Sequence, residues 1–432
     1  MDPLAEELNA VLDETVAGRM LSGLGRRLFF PRGIISQSAE AKKTARINAT
    51  IGMAYEKNRP LILSAIAGRL PDLKPEESVV YAPTAGVEEL RSAWKKDMVL
   101  KNPSLKGKIL SLPVVTPGIT AGISCAGSLF LDQGQTIIAS DPRWDNYDLI
   151  FHERLNGTIK PVSIFSDSGK AAGLDISALK KALREEAKTG SVRLILNFPH
   201  NPSGYTPAKA EANAIVGLIE ETARGGADVL VLCDDAYFGL FYEEGILQES
   251  LFGILSGLHK NVLAVKIDGP IKEDYVWGFR IAFLTFGSAG LFESHYEALV
   301  KKLMGSIRSS VSCSNTPAQY LTLKAMNDVK TKKEKEHCFK LLQSRYRAVR
   351  RFVAENHRPA GLEALPFNSG YFMSFRCTRF SAENLRRKLL EKGIGTIALG
   401  DTYLRVTFAA VEEGEIPDLY GTIYQTAAEM EH

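Results

Sequence analysis

A lysine and an arginine lie eight positions apart, at Lys272 and Arg280, between two apolar runs of the sequence. The first run, residues 261–267, predicts a buried strand, and the second covers residues 281–286. A lysine on a loop that leaves a buried strand is partly desolvated, which favours its neutral, nucleophilic amine. A nearby arginine can hold a phosphate with its planar set of donors. A Schiff-base lysine beside a phosphate-binding arginine is what a pyridoxal phosphate enzyme needs, and a solvated surface turn is the competing interpretation.

Other side chains with possible chemistry also follow apolar runs. Asp234 comes after residues 229–233; an acid there is costly to bury unless a cation pairs with it, and a helix-cap role is the alternative. Asn201 lies among turn-forming residues and could cap that turn. Trp144 is either a core residue or a platform for a cofactor. The turn at 118–120 leads into an apolar helix, which is either an anion site or an ordinary strand–turn–helix junction.

The elements that must position these residues alternate between strand and helix from about residue 112. Asp175 is the predicted N-cap of a helix over 176–188, and Thr206 with Pro207 is predicted to open a helix over 208–224, with proline in the first helical position. Such βαβ units predict a mainly parallel sheet with helices on both faces, which binds ligands at the carboxyl ends of its strands. The predicted strands are 112–116, 136–139, 159–164, 192–197, 229–233 and 261–267.

The sequence becomes helix-rich after residue 290 and contains two further predicted strands, at 368–375 and 403–408. These strands indicate a separate, smaller α+β domain. The predicted fold is therefore α/β: a large three-layer domain, plus a small α+β domain built from the N- and C-terminal segments. The expected regions are an N-terminal arm with part of the small domain (1–60), the large cofactor-binding domain (61–315) and the C-terminal small domain (316–432).

Composition excludes several classes of protein. The chain has 432 residues, of which 45% are hydrophobic and 24% charged, and a net charge of +3 is too small to indicate nucleic-acid binding. No signal peptide and no apolar run of membrane-spanning length is visible. Five cysteines without a CxxC motif indicate reduced thiols in a cytoplasmic protein. Seven histidines lack ligand spacing, so no metal site is expected.

The order of three motifs carries a family resemblance. Asn-Pro-Ser-Gly at Asn201 is followed by Asp-x-Ala-Tyr at Asp234 and then by the lysine–arginine pair at Lys272. This order resembles the class I/II aminotransferases among the fold-type I pyridoxal phosphate enzymes, over roughly residues 45–410. The resemblance implies a cytoplasmic homodimer with shared active sites that moves an amino group between an L-amino acid and a 2-oxo acid.

The resemblance also implies a role for each matching residue. Lys272 matches the lysine that forms the internal aldimine and acts as general base for the α-proton, whereas Lys266 fails the spacing to the phosphate arginine. Asp234 matches the aspartate that keeps the pyridine nitrogen protonated. Arg405 matches the arginine that binds the substrate's α-carboxylate. The other implied cofactor contacts are Tyr237 and Asn201 to the phenolic oxygen, Trp144 stacked on the ring, and Gly118, Ile119, Thr120 and Arg280 at the phosphate.

Three further assignments concern the edges of the site. Tyr81 matches a tyrosine that reaches the phosphate in the neighbouring subunit, and Gly52 looks like the N-terminal glycine beside the substrate. Arg308 resembles a second arginine that binds a distal carboxylate in acidic-substrate members of the family. Arg308 stands about two positions further from the following Ser-Asn-x-Pro turn than in those members, so a surface or phosphate-side arginine is the alternative.

One departure from the family pattern suggests a divergent branch. The family has serine or threonine three residues before the lysine, whereas this chain has Gly269, preceded by Asp268. A carboxylate facing a phosphate dianion is repulsive, so the phosphate site must be completed differently. Another pyridoxal phosphate enzyme of the same fold, such as a β-lyase or decarboxylase, and a non-catalytic cofactor-binding protein remain alternatives.

Overall fold

The computed structural model describes residues 3–29, 72–166 and 173–431, together with the backbone of 55–56 and 59–60. Its strands are β1 (Tyr55–Glu56), β2 (Arg59–Pro60), β3 (Val114–Thr116), β4 (Thr136–Asp141), β5 (Thr158–Ser163), β6 (Ser191–Asn197), β7 (Asp228–Asp234), β8 (Val262–Asp268), β9 (Ala282–Gly287), β10 (Leu362–Ala364), β11 (Phe372–Cys377), β12 (Ile397–Leu399) and β13 (Tyr403–Thr407).

The α-helices in the same part of the chain are α1 (Pro3–Leu12), α2 (Val16–Met20), α3 (Gly23–Arg27), α4 (Pro75–Val79), α5 (Glu88–Lys101), α6 (Ile119–Phe130), α7 (Ile176–Ala187), α8 (Lys209–Arg224), α9 (Leu251–Leu255), α10 (Pro270–Glu273), α11 (Glu293–Arg308), α12 (Thr316–Asn327), α13 (Val329–Glu355), α14 (Ala382–Glu391) and α15 (Ile416–Glu429). Among the described residues, no helix combines the length and the apolar character that crossing a membrane requires.

A seven-stranded sheet forms the centre of the large domain, in the order β3-β9-β8-β7-β6-β4-β5. Six of its seven strands match the predicted strands 112–116 to 261–267, and neighbours from β8 to β5 run parallel. β9 runs antiparallel to both β3 and β8. The prediction of a mainly parallel sheet is therefore confirmed, with one reversed strand that follows the segment carrying Lys272.

Side chains of the central strands alternate between two apolar layers, as strand geometry requires. On β7, Val229, Val231 and Cys233 face a layer formed with α7, α8 and α9. Leu230 and Leu232 face the opposite layer, which α6, α11 and the N-terminal helices complete. Helices therefore cover both faces of the sheet, and the predicted three-layer arrangement is confirmed.

The two predicted helix starts have different outcomes. Asp175 is the N-cap of α7, since its carboxylate accepts a hydrogen bond from the Ala178 N–H at 2.8 Å. The prediction that proline opens α8 is wrong, because that helix begins at Lys209. The Glu211 carboxylate accepts from the Ala208 N–H at 2.7 Å and so fixes the helix start two residues after Pro207.

The small domain is an antiparallel sheet in the order β10-β11-β13-β12, packed against α13, α14 and α15. β11 begins at Phe372 rather than at the predicted residue 368, because the preceding turn bonds to the large domain instead. The Asn368 amide oxygen accepts from the Thr206 N–H at 2.8 Å. Arg405 lies on the central strand β13, opposite Ser374.

The N-terminal helices α1–α3 pack against the large domain. Lys302 on α11 is fully buried and its ammonium group donates to the carbonyl oxygens of Gly25 and Leu28, each at 3.0 Å. These carbonyls lie at the end of α3, where a cation is stabilising. The expected contribution of residues 1–60 to the small domain stays a prediction, since residues 30–54, 57 and 58 lie outside the described residues.

Candidate active site

A cleft lies where β6, β7 and β8 end, and the residues that line it belong to the large domain. It encloses about 540 Å3, including the part that is open to solvent. The side chains that line it are Ile119, Thr120, Trp144, Asn197, Asn201, Asp234, Ala236, Tyr237, Ile271, Lys272 and Arg280. Most of the residues that the sequence predicts to bind the cofactor thus meet in one cleft, although long stretches of sequence separate them.

Asp234 is the last residue of β7 and is only 2% exposed. Its carboxylate accepts hydrogen bonds from the Tyr147 hydroxyl at 2.5 Å and from the Ala236 N–H at 3.2 Å. Burial raises its pKa to about 6, although both hydrogen bonds and the Lys272 charge act in the opposite direction. Asp234 caps a turn rather than a helix, and no ion pair to it is formed within the described ranges. A buried acid of this kind can stabilise a cationic ligand group.

Tyr147 is the contact that sequence reasoning missed. It is fully buried, its hydroxyl bonds Asp234, and its ring meets Trp144 edge-on, with centroids 5.6 Å apart. The available signal was its position three residues after Trp144, which places both rings on one turn of chain. Because the hydroxyl donates to the charged form, it holds the Asp234 carboxylate toward ionisation.

Lys272 lies in α10, a single helical turn rather than the predicted loop. Its amine lies over the Tyr237 ring, 5.4 Å from the centroid. Burial lowers the Lys272 pKa, the Arg280 and Arg405 charges lower it further, and Asp234 raises it. The main-chain carbonyl of Lys272 accepts a hydrogen bond from the Tyr371 hydroxyl at 2.8 Å. The amine therefore loses its proton more readily than that of an exposed lysine.

Lys266, the competing lysine, is fully buried and already has partners. Its ammonium group pairs with Asp235 and with Asp268, the latter at 3.3 Å. Asp268 also accepts from the Trp94 indole N–H at 3.1 Å and does not line the cleft. The predicted repulsion between Asp268 and a phosphate is therefore absent, because the carboxylate points into this buried ion cluster.

Gly269 is a residue that no larger side chain could replace without local movement. A Cβ atom at this position would lie 2.8 Å from the Ile281 oxygen and 2.9 Å from the Ala282 Cα. Both distances are shorter than carbon contacts in folded proteins, and the obstructing atoms belong to the backbone. The start of β9 thus excludes the serine or threonine that the family pattern has here.

Gly118 lies against the guanidinium group of Arg280, which lines the cleft. Gly118 precedes α6 with φ of 88°, a conformation that favours glycine. A Cβ atom on Gly118 would lie 2.5 Å from an Arg280 terminal nitrogen, so a larger residue would displace the guanidinium group. Arg280 is exposed and also donates to the Trp277 carbonyl at 3.3 Å. The N–H groups at the start of α6 and the guanidinium together suit a phosphate.

Arg405 reaches the cleft from the small domain. One terminal nitrogen donates to the Asn201 amide oxygen at 3.2 Å, and the guanidinium carbon lies 4.6 Å from the centroid of the Phe372 ring. Burial lowers the Arg405 pKa, while Tyr237 and Asp145 raise it. Its Nε atom is buried and forms no hydrogen bond with any residue that the structure describes. A carboxylate could accept that unused donor.

Tyr81 and Arg308 are two further predicted site residues, and they do not line this cleft within one chain. Tyr81 is 70% exposed. Arg308 is exposed at the end of α11 and donates to the Ser312 hydroxyl. Gly52 lies outside the described residues. The proposed contacts of these three residues therefore stay predictions.

The cleft residues fit pyridoxal phosphate. A buried carboxylate without a cationic partner among the described residues suits a protonated ring nitrogen, and a lysine of lowered pKa suits an aldehyde. The glycine turn beside Arg280 suits the phosphate. This fit rests on three separate groups of different chemistry.

Comparisons with known proteins agree with this geometry. The family model described as aminotransferase class I and II matches residues 51–423. The aspartate aminotransferase of Sulfurisphaera tokodaii is 24% identical over 350 residues, covering 77% of this chain and 79% of the relative. The methionine aminotransferase of Escherichia coli is 25% identical over 296 residues, covering 68% and 67%.

Solved structures show the same fold. An aminotransferase from Anaerococcus prevotii superposes with a TM-score of 0.73 at 23% identity, covering 92% of this chain and 95% of that one. A kynurenine aminotransferase from Pyrococcus horikoshii, solved with PMP, superposes with a TM-score of 0.68 at 16% identity, covering 100% and 95%. At these identities the likeness concerns the fold.

Proposed function

Since this chain belongs to the class I and II aminotransferase family and uses pyridoxal phosphate for transamination, we propose that Lys272, Asp234 and Arg405 carry the reaction. The observation that carries the proposal is the buried Asp234 carboxylate, within electrostatic reach of the Lys272 amine and without a cationic partner among the described residues. The comparisons do not favour the β-lyase, decarboxylase or non-catalytic alternatives.

Lys272 moves the proton. When bound, pyridoxal phosphate supplies a ring that accepts electrons from the bond broken at the amino acid's α-carbon. With the cofactor bound, the Lys272 amine would take the α-proton of the amino acid and later give a proton back, so that one base would serve both transfers. Its lowered pKa keeps a larger fraction of the amine neutral, which supports this role.

Asp234 supplies the negative charge that would stabilise the protonated ring nitrogen of the cofactor. Its carboxylate would stay ionised beside a protonated ring nitrogen of the bound cofactor, because two opposite charges stabilise each other in a buried site. Tyr147 supports the ionised form through its hydroxyl. Tyr237 and Asn201 would bind the ring oxygen of the cofactor and Trp144 would stack on its ring, since all three line the cleft.

Arg405 orients the substrate. Its free Nε edge and a terminal nitrogen bind the α-carboxylate bidentately, which directs the Cα–H bond toward the Lys272 amine. Asn201 and Phe372 support this role, since they hold the guanidinium from its edge and from its face.

Gly118, Ile119 and Thr120 bind the cofactor phosphate together with Arg280. The start of α6 offers backbone N–H groups, and the guanidinium adds a fixed positive charge. The glycine at position 118 supports this assignment, since any Cβ atom would displace Arg280.

We further propose that the enzyme is a cytoplasmic homodimer with shared active sites. The 70% exposure of Tyr81 supports a role outside its own chain, at the neighbouring subunit's phosphate. The five cysteines without a CxxC motif support a reducing compartment. The substrate is an L-amino acid with a 2-oxo acid as acceptor; the relatives named above act on amino acids as different as aspartate and methionine, so their names do not select one side chain.

A visible spectrum tests the proposed function. The purified holoenzyme should absorb as a lysine-bound cofactor, shift to the pyridoxamine form with an amino-acid mixture, and return with 2-oxoglutarate or pyruvate. Release of ammonia or carbon dioxide instead of this reversible shift would overturn the transaminase assignment. Single amino acids then identify the donor.

A further inference from the structure

Glu273 follows Lys272 directly and shares its four-residue helix α10, yet the proposed reaction does not use it. Its side chain is only 17% exposed. The two carboxylate oxygens accept from the Lys101 ammonium group at 2.9 and 3.0 Å, and one also accepts from Lys335 at 3.3 Å. Two lysines thus hold one largely buried carboxylate beside the reactive amine.

The two lysines come from different parts of the molecule. Lys101 ends α5 of the large domain and also pairs with Asp97 at 2.9 Å. Lys335 lies on α13, the long helix of the small domain, and also pairs with Asp274. The Glu273 carboxylate is therefore a junction where the large domain, the small domain and the Lys272 turn meet.

A third segment packs against the same carboxylate. Gly239, with φ of 90°, lies two residues after Tyr237, and a Cβ atom there would be 3.0 Å from a Glu273 oxygen. The loop that carries Tyr237 therefore packs its Gly239 backbone against the Glu273 side chain. Movement of Glu273 would disturb both Lys272 and Tyr237.

The Glu273 carboxylate and the ammonium groups of Lys101 and Lys335 stabilise one another in this junction. Burial raises the Glu273 pKa, but Lys101 and Lys335 outweigh it and leave the pKa below its ordinary value. Removing the carboxylate leaves two partly buried cations without their shared partner. A buried ion pair adds little stability compared with an apolar pair. Its contribution here is to hold the Lys272 turn in one position.

The Lys272 turn needs external support. α10 has four residues, begins with Pro270 and has no side-chain N-cap, so it lacks the length that makes a helix stable alone. Its polar side contacts include the Tyr371 hydroxyl on the Lys272 carbonyl and the ion pairs of Glu273. Tyr371 and Lys335 link it to the small domain, and Lys101 links it to the large domain.

We propose that Glu273 is a positioning residue, which fixes the Lys272 amine relative to Asp234 and Arg280 through its ion pairs with Lys101 and Lys335. The inference rests on the proposed role of Lys272 and extends it. The charged groups that face the Lys272 amine are Asp234, Arg280 and Arg405, so a displaced turn changes the distance of the amine to each of them.

Three variants test the proposal. Glu273→Gln keeps the shape and removes the charge, Glu273→Asp keeps the charge on a shorter stem, and Lys335→Gln removes only the small-domain cation. The matched control is Glu336→Gln, which breaks the exposed Glu336–Lys340 pair on α13. We expect kcat to fall about ten- to a hundredfold in Glu273→Gln with KM nearly unchanged, since a misplaced base slows chemistry more than binding.

A second measurement does not require the loaded enzyme. In cofactor-free protein, the pH dependence of Lys272 acetylation by limiting acetic anhydride, followed by mass spectrometry, reports the pKa of this amine. The midpoint should shift in Glu273→Gln, because a displaced turn changes the distances from the amine to Asp234, Arg280 and Arg405, and it should return toward wild type in Glu273→Asp. A purely structural role would lower the melting temperature and leave the midpoint unchanged.

The outcomes separate this proposal from the proposed function. If wild-type protein does not transaminate, the proposed function fails while the acetylation midpoint still tests Glu273. An unchanged midpoint and an unchanged kcat in Glu273→Gln would overturn the positioning role. If Glu273→Gln does not fold, Lys335→Gln decides: a wild-type midpoint and kcat in that variant would overturn the proposal.

Discussion

At the scale of single residues, Lys266 and Lys272 show how the charges around a buried lysine decide whether its role is structural or catalytic. Lys266 lies between two carboxylates, and its burial is offset by those charges, which leave its pKa above the ordinary value. Lys272 faces one carboxylate and two guanidinium groups, and its pKa is lowered. Sequence spacing distinguished the two lysines, but only the structure shows that Lys266 is fixed by Asp235 and Asp268.

Substitution of the two lysines should therefore have opposite effects. Lys272→Ala should fold normally and lose the borohydride-reducible link to the cofactor. Lys266→Ala should keep that link but lose about 3–5 kcal/mol of unfolding free energy, because two buried carboxylates lose their cation. Reduction with borohydride followed by peptide mapping, and urea denaturation, measure the two effects. A label on Lys266 would contradict the assignment.

Asp234 illustrates how one hydroxyl group supports a buried charge. Asp234→Ala should leave a folded protein that binds the cofactor weakly and transaminates very slowly. Tyr147→Phe should be milder, with cofactor affinity lower by about ten- to a hundredfold, since a hydrogen bond to a charged group contributes about 1.5–3 kcal/mol. Cofactor titration by fluorescence and steady-state turnover check both variants. Near-normal turnover of Asp234→Ala would return this residue to a structural role.

At the scale of helices and strands, the sequence predicted those features that are determined by residues close together in the chain. Strand positions followed from apolar runs, and the N-cap at Asp175 followed from its type and place. The antiparallel direction of β9 could not be read, because strand direction depends on long-range pairing with β3 and β8. The direction of the Asp268 side chain could not be predicted from the sequence either, since it is determined by contacts with Lys266 and the distant Trp94.

The turn that follows β6 contains a buried histidine that sequence reasoning had not used. His200 is 2% exposed and lies between the hydroxyl groups of Ser140, at 3.0 Å, and Ser203, at 2.8 Å. Burial lowers its pKa to about 3. The folded protein therefore keeps this ring neutral at pH values where the unfolded chain protonates it.

This difference predicts a loss of stability in acid. The unfolded chain binds a proton at His200 below about pH 6.5, whereas the folded chain does so only near pH 3. The contribution of this group is thus complete above the unfolded pKa and falls by about 2 kcal/mol between about pH 7.5 and about pH 5. Urea denaturation of cofactor-free protein at both pH values should show a shallower pH dependence for His200→Gln than for wild type. Equal slopes would contradict the neutral buried ring.

At the scale of the whole molecule, the cleft depends on contacts between the two domains. Arg405 from β13 meets Asn201 from the large domain at 3.2 Å, and the Tyr371 hydroxyl meets the Lys272 carbonyl at 2.8 Å. The order of motifs along the sequence predicted which residues meet. It did not predict these contacts or Tyr147, because they depend on how the small sheet packs against the turns after β6 and β8.

A shared active site is the last prediction, and it belongs to the assembly. Tyr81 is 70% exposed in the single chain, and the family resemblance assigns it to the phosphate of a partner. If so, a mixed dimer of inactive Tyr81→Ala and Lys272→Ala chains contains one wholly wild-type site, because the intact lysine and the intact tyrosine come from different chains. Random exchange in an equal mixture should restore about one quarter of wild-type activity, since about half of the dimers are mixed and each has one working site. Activity assays after co-refolding, with tagged chains to isolate mixed dimers, measure this recovery. A monomer at assay concentration, or confirmed mixed dimers without activity, would show that each chain completes its own site.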